Sequence, residues 1–138
     1  MKIISQQLKF LRNAISKSFL VSSHDISDGG LAIALAESCI LSARGATIEL
    51  EKNLNRVDNL LFAEGGSRII FSISKMKQNE WFNYLKQNQI NCPSSVYVKK
   101  IGYVSSEMLK IKIQDKNICN IRVEELSEKF NNSISGYF

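Results

Sequence analysis

Residues 24–30 read His-Asp-Ile-Ser-Asp-Gly-Gly and gather several side chains that could do chemistry. Ser27 or Asp28 can accept a hydrogen bond from the first N–H groups of a following helix, and a carboxylate there faces the positive end of the helix dipole. Gly29 and Gly30 leave that helix start bare, so a phosphate could approach its N–H groups. The alternative interpretation is that the glycines only let another element pack closely.

A second polar segment combines a carboxylate, two glycines, a hydroxyl and a guanidinium, in the order Glu64, Gly65, Gly66, Ser67, Arg68. It leads into an apolar run that is predicted to be a strand. A loop at a strand entry can present backbone N–H groups and a forked donor to a phosphate or a carboxylate. Alternatively, Glu64 and Arg68 pair with each other, or with Asp25 or Asp28, and hold two loops together.

Metal and acid–base chemistry have few candidate residues. His24 is the only histidine, and without a nearby cysteine we interpret it as a hydrogen-bonded loop residue rather than a proton carrier or metal ligand. Asp25, Asp28 and Glu64 offer the oxygen atoms that magnesium prefers. No nucleophile with a base, paired histidines or complete Walker phosphate loop is found. We therefore assign no catalytic and no metal-binding residue, and do not expect a self-sufficient enzyme.

Four helices are predicted, the second from the helix propensity of its small residues and the others from the spacing of their apolar residues. The first covers about the first twenty residues, and the second is the small-residue helix after Asp28, expected to be buried on several faces and to end at Gly45. The third runs from Lys75 to Gln89, with Trp81 packed inside, and the fourth starts near Val123. The inward residues of the first and last helices are predicted to be Ile4, Leu8, Leu11, Ile15, Phe19, Leu126, Phe130 and Ile134.

Two-residue alternation predicts the strands. A turn at Asp115–Asn117 would make the last two strands an antiparallel hairpin with one wet, basic face, and Gly102 should mark a bulge or a close backbone approach. Residues 51–60 are expected to form a loop or short helical turn, pinned to the core by an apolar plug at Leu60–Phe62. The strands are predicted at residues 20–22, 46–50, 69–73, 96–102, 109–113 and 119–123. The fold class is therefore α+β, a mixed β-sheet flanked by helices.

Composition narrows the function classes further. A chain of 138 residues fits one domain, residues 1–138, and its 44% hydrophobic content is ordinary for a soluble protein. No apolar run approaches the roughly 20 residues that cross a bilayer, so we expect a cytoplasmic protein with no membrane partner. Three widely spaced cysteines favour reduced thiols over a zinc site or a disulfide framework. The net charge of +5 comes with scattered lysines, which favour a solvated surface and no nucleic-acid partner.

Three segments, residues 24–37, 61–70 and 101–104, resemble in the same order the C-terminal domain of the aminoimidazole ribonucleotide synthetase superfamily. The resemblance is closest to the second such domain of the phosphoribosylformylglycinamidine synthase (formylglycinamide ribonucleotide amidotransferase) family. In the catalytic half of those enzymes the loop matching residues 64–66 typically reads Glu-Ser-Gln and touches substrate. The glycines found here are usual in the second half, so the resemblance implies a structural or nucleotide-binding role.

The resemblance also implies partners and cofactors. A preceding domain or a separate subunit would supply the ligands for ATP and magnesium, and the active cleft would lie between domains. The whole enzyme converts formylglycinamide ribonucleotide, with ammonia from a glutaminase subunit, to formylglycinamidine ribonucleotide in purine biosynthesis. Neither ATP nor magnesium is expected on this domain alone, which should be inactive in isolation. The ligand or interdomain-loop candidates are Asp25, Ser27, Asp28, Gly29, Gly30, Glu64, Gly65, Gly66, Ser67 and Arg68.

Two other interpretations stay open at this point. A sibling ATP-dependent synthetase or kinase of the superfamily would share the fold and differ in the loop at residues 64–68. A non-enzymatic basic module would instead bind nucleic acid with salt-dependent affinity. The favoured interpretation depends on one geometric prediction, that the two glycine-bearing loops lie side by side and form half of a cleft that another domain completes.

Overall fold

The computed structural model describes residues 2–51, 56–88 and 96–132, with side chains from Gln7 onward. Five α-helices are found in these ranges, and a short 3₁₀ turn at Lys75–Lys77 precedes the fourth. The helices are α1 (Lys2–Ser16), α2 (Gly30–Ser42), α3 (Val57–Phe62), α4 (Gln78–Gln87) and α5 (Val123–Asn132). The strands are β1 (Leu20–Ile26), β2 (Ala46–Leu50), β3 (Arg68–Ile73), β4 (Gly102–Val104), β5 (Met108–Ile113) and β6 (Lys116–Arg122).

Four of the strands form a mixed sheet in the order β4-β2-β5-β6, which confirms the predicted α+β class. β2 runs parallel to β5, with Ala46 opposite Leu109, and antiparallel to β4. β5 and β6 form the predicted antiparallel hairpin. Its turn lies at Gln114 and Asp115 and so begins one residue earlier than predicted. Both residues adopt the positive φ that a two-residue hairpin turn requires. β1 pairs with β3 in a separate two-stranded sheet.

The chain divides into two compact units, and the larger comprises His24–Ile70 and Ile101–Phe138. One face of its four-stranded sheet packs against α2 and α5 in an aliphatic core. The other face carries exposed polar residues such as Lys110 and Asn120, which confirms the predicted wet, basic face of the hairpin. The central buried residues are Leu31, Ala34, Leu35, Cys39, Ile48, Leu109, Ile111 and Ile113.

The smaller unit comprises Met1–Ser23 and Phe71–Lys100 and has an aromatic core. Trp81 is buried between rings, with its centroid 5.8 Å from that of Phe10 and 5.7 Å from that of Phe19. Such tilted and edge-on contacts add to the stabilisation from burial alone. The prediction that Trp81 serves packing is therefore confirmed.

The predicted inward face of α1 is only partly confirmed, because Leu11 packs partly buried against the aromatic core but two other predicted positions do not. Leu8 and Ile15 are each 56% exposed, whereas Phe10 and Ala14 are buried. Phe10 and Ala14 also lie four residues apart, so spacing alone does not distinguish the two faces, and the rings of α4 select Phe10. Phe19 is buried as predicted but follows the end of the helix.

The predicted surroundings of α2 also need correction. Only one stripe of this helix is buried, because Ile33 is 40% and Leu41 is 81% exposed. The left-handed residue after the helix is Ala43, with φ of 51°, rather than Gly45. Gly45 instead lies against β5, where a Cβ atom would stand 2.2 Å from the Met108 carbonyl oxygen.

Several boundaries differ from the predictions. β1 continues to Ile26, and no regular strand covers the described residues 96–101, since β4 begins at Gly102. The close backbone approach predicted at Gly102 is confirmed, because a Cβ atom there would stand 2.0 Å from the Thr47 carbonyl oxygen. Residues 57–62 form the helix α3, in which Leu61 is buried but Phe62 is 52% exposed, so the plug is only partly formed.

The predictions for the last helix are mixed. Leu126 packs partly buried against the core as predicted, but Phe130 is 57% exposed. The predicted inward positions Ile4 and Ile134 fall outside the described side chains. No helix in the described part of the chain is long and apolar enough to cross a bilayer. The assignment of residues 1–138 to one domain stays a prediction.

Candidate functional site

The first candidate loop joins the end of β1 to the start of α2. Strand alternation turns Asp25 outward and Ile26 into the core, where it is 7% exposed. Ser27 and Asp28 follow as exposed residues before α2. The loop is therefore anchored by a buried isoleucine and presents its polar side chains to the surface.

The start of α2 is not capped as the sequence predicts. Gly29 occupies the cap position with φ of 75°, and its N–H group does not donate to the side chain of Ser27 or Asp28. Its N–H group donates instead to Oε1 of Glu64, at 2.9 Å and 35 residues further along the chain. A carboxylate still faces the positive end of the helix dipole, but it comes from the second loop.

This hydrogen bond confirms that the two glycine-bearing loops lie side by side. The alternative interpretation, in which Glu64 pairs with Arg68, is not observed, because the Arg68 guanidinium bonds to backbone carbonyl groups of its own loop. Arg68 donates from Nη2 to the Ala63 carbonyl oxygen and from Nε to that of Gly65, the latter at 3.4 Å. Neither Asp25 nor Asp28 forms an ion pair with Arg68 among the residues described. Glu64 links the loops, and Arg68 braces the second one.

The two glycine pairs have different surroundings. A Cβ atom at Gly30 would stand 2.7 Å from the backbone of Phe62, so this glycine permits the end of α3 to pack on the start of α2. Gly65 and Gly66 have φ of 87° and 88°, and no heavy atom lies within 4 Å of a Cβ built on either. Ser67 follows with φ of 45°. The second loop thus leaves exposed backbone on an open surface.

His24 is hydrogen-bonded, as predicted, although it lies inside β1 rather than in a loop. Its Nδ1 atom donates to the Asp25 carbonyl oxygen at 2.7 Å, and Nε2 lies 3.2 Å from Oε2 of Glu37 on α2. Sequence reasoning did not identify Glu37 as a partner. The sequence signal for this pair was that His24 and Glu37 both belong to the motif at residues 24–37, one before the loop and one after it.

The described residues do not form a metal site. No group of three or more His, Cys, Asp or Glu side chains in residues 7–51, 56–88 and 96–132 is arranged to hold an ion. One oxygen of Glu64 is already bonded to Gly29. The candidate set of Asp25, Asp28 and Glu64 therefore does not fit a magnesium ion without ligands from elsewhere.

The described cysteines are not suited to nucleophilic chemistry. Cys39 is buried in α2, and burial raises the pKa of its thiol. Burial also raises the pKa of the Cys119 thiol. The thiolate is the reactive form, so burial does not activate either group as a nucleophile.

A groove of about 620 Å³ lies at the C-terminal end of α2, and sequence reasoning did not predict it. Most of the residues that line it have polar or charged side chains, and the Arg122 guanidinium lies 4.0 Å from the Glu107 carboxylate. The groove is formed by segments far apart in the chain, so no local motif marks it. Residues lining it include Ile40, Ala43, Ser106, Glu124, Ser127 and Glu128.

Comparison with known proteins connects this geometry to a family. The sequence profile described as "AIR synthase related protein, C-terminal domain" matches residues 5–115. A phosphoribosylformylglycinamidine synthase subunit PurL of Prochlorococcus marinus strain AS9601 is 91% identical over 94% of this chain. The alignment covers 17% of that relative, so the chain spans about a sixth of the length of the curated relatives that it matches.

Solved structures agree on the fold. Thermotoga maritima PurL complexed with FGAR has a TM-score of 0.72 at 13% identity, covering 90% of this chain and 21% of that one. The same protein complexed with ATP has a TM-score of 0.66 at 14% identity, covering 83% and 20%. At these identities the likeness establishes the fold alone. With most of its length matched by the family profile, the chain belongs to the AIR synthase related family and has the fold of its C-terminal domain.

Proposed function

We propose that this chain is the second C-terminal-type domain of a phosphoribosylformylglycinamidine synthase. The proposal is supported by the 91% identity to a relative of that name. In the proposed enzyme, ATP supplies the activation of the formyl amide oxygen, and ammonia released from glutamine replaces that oxygen. The sibling synthetases and kinases, and the basic nucleic-acid module, have no comparable support.

The observation that carries the proposal is the hydrogen bond between Gly29 and Glu64. It joins the two loops into one surface, which we name the loop surface. It combines exposed carboxylates and hydroxyls with the open backbone of Gly65 and Gly66. Backbone N–H groups next to open space suit a phosphate or a neighbouring backbone, because neither contact needs a side chain. The loop surface comprises Asp25, Ser27, Asp28, Gly29, Glu64, Gly65, Gly66 and Ser67.

The role of the loop surface is to complete a cleft rather than to act alone. The described residues offer no reactive thiol and no metal-ligand cluster. We therefore propose that a preceding ATP-binding domain or subunit contributes the magnesium ligands and the catalytic groups. A glutaminase subunit and a small ribonucleotide substrate complete the assembly, and the proposed location is the cytoplasm.

Glu64 is the residue with which to test this function. In the longer synthetase subunit carrying these residues, Glu64→Ala frees the Gly29 N–H group and uncouples the loops. We expect kcat/KM for ATP-dependent amidine formation to fall about tenfold, the effect of losing one charge-assisted hydrogen bond. The matched control is Glu128→Ala, which removes an exposed carboxylate of α5 and should leave kcat/KM within about twofold.

Two outcomes would contradict the proposal. One is equal activity of the Glu64→Ala and Glu128→Ala subunits. The other is measurable ATP-dependent amidine formation by the purified 138-residue chain, since that would mean that no further domain is needed.

A further inference from the structure

The loop between β1 and α2 has a second anchor besides Glu64. The His24 side chain lies two residues before the end of β1 and reaches Glu37, in the second turn of α2. Only Ser27, Asp28 and Gly29 separate the strand from the helix. The contact between His24 and Glu37 therefore joins the strand before this loop to the helix after it. Glu64 binds Gly29, the last residue of the loop before α2.

The two nitrogens of the His24 ring have different partners. Nδ1 faces the Asp25 carbonyl oxygen, which can only accept a hydrogen bond, and Nε2 faces a carboxylate oxygen of Glu37. Both ring nitrogens of His24 therefore face acceptors, at 2.7 Å and 3.2 Å. The ring therefore connects the backbone of β1 to the Glu37 side chain on α2.

The position of the ring also bears on the neighbouring candidate residue. Nδ1 holds the carbonyl of Asp25, which fixes the peptide plane between Asp25 and the buried Ile26. With that plane fixed, the Asp25 side chain stays on the exposed side of the strand. The His24 and Glu37 side chains are 27% and 35% exposed, so the pair is partly shielded from solvent screening.

We infer that His24 and Glu37 are positioning residues that hold the loop from Asp25 to Gly29 in the form in which Glu64 caps α2. Neither is assigned to touch substrate. The inference about loop conformation stands by itself, and its consequence for turnover rests on the proposed function.

The test uses the ¹⁵N-labelled full chain and measures hydrogen exchange at two backbone amides. Those of Gly29 and Gly30 donate to Glu64 and to the Ser27 carbonyl, so they report directly on the loop. Glu37→Ala should speed exchange at both about fivefold, as expected from the loss of one hydrogen bond. Glu37→Gln keeps an oxygen acceptor for Nε2 and should restore most of the protection.

The controls separate loop order from folding. Glu125→Ala removes the ion pair with Lys129 on α5 and should leave Gly29 and Gly30 unchanged. The amides of Ile48 and Ile111, in the buried core, show whether each variant is folded.

Unchanged exchange at Gly29 in folded Glu37→Ala would overturn the inference, as would identical effects of the alanine and glutamine substitutions. The hydrogen-exchange measurements need no substrate, so a negative result there would not contradict the proposed synthase function. Likewise, inactivity of the longer subunit would not contradict the positioning role of His24 and Glu37. In an active subunit, Glu37→Ala should raise KM more than it lowers kcat, with recovery in Glu37→Gln.

Discussion

The two Gly-Gly pairs look alike in sequence but differ in what surrounds them. All four glycines have positive φ, between 68° and 88°. A Cβ atom at Gly30 would meet the backbone of α3, and one at Gly29 would meet the side chain of Ile33 in the first turn of α2. At Gly65 and Gly66 it would meet nothing within 4 Å. The first pair serves packing as well as backbone conformation, and the second pair serves conformation alone.

The difference shows which loop is available to another molecule. The first loop has its glycines engaged by α2 and α3, so only its side chains face outward. The second loop has exposed backbone, braced by Arg68 from within. An open, braced backbone with no packing role is what a site for a phosphate or a neighbouring domain requires. Substitutions at the two pairs should therefore have effects of different size and kind.

Gly30→Ala should have the largest effect on stability. Its Cβ atom would stand 2.7 Å from the carbonyl carbon of Phe62 and 2.8 Å from the Leu61 carbonyl oxygen, and backbone cannot rotate away. Overpacking and the positive φ together should lower the free energy of unfolding by about 3 kcal/mol. Urea denaturation followed by far-UV circular dichroism measures this loss. A loss below about 1 kcal/mol would mean that α3 is free to shift, and would contradict the packing role assigned to the first glycine pair.

Gly66→Ala should have a smaller effect, because only the backbone conformation opposes the new side chain. With φ of 88° and no neighbour, the free energy of unfolding should fall by about 1 kcal/mol. The same urea titration applies. Gly66→Asn is the matched variant, since asparagine tolerates positive φ better, and it should recover part of the loss. A loss as large as that of Gly30→Ala would show that the second loop is packed after all.

The comparison also indicates what the sequence could predict. The motif at residues 24–30 identified the turn into α2, and alternation identified β2 with its bounds as the structure has them. The cap of α2 was not predictable from local residues, because Ser27 and Asp28 are chemically suitable and the structure uses Glu64 instead. Capping partners far along the chain depend on how the elements pack, which no local pattern encodes.

The buried face of α1 gives the same lesson about periodicity. Leu8 and Ile15 follow the helical period as well as Phe10 and Ala14 do, yet only the second pair is buried. The choice depends on the rings of Trp81 and Tyr84, which lie more than sixty positions later. Periodicity therefore predicts that a helix is amphipathic more reliably than it predicts which residues another element will cover.

Ala43 offers the smallest and most specific test of the argument about glycine. It follows α2 with φ of 51° and ψ of 35°, a left-handed position that glycine usually takes, and its N–H group bonds to the last turn of the helix. Ala43→Gly should raise the free energy of unfolding by about 0.5 kcal/mol, because relief of the left-handed strain exceeds the entropy that glycine gains in the unfolded chain.

The matched control is Ser42→Gly, one residue earlier and inside the helix, which should lower the free energy of unfolding by about 1 kcal/mol. Opposite signs at adjacent positions in the same urea titration would establish that backbone conformation, rather than helix length, decides where glycine is needed. If both substitutions destabilise the chain, the left-handed strain at Ala43 is too small to matter, and the cost assigned to Gly66→Ala must be reduced as well.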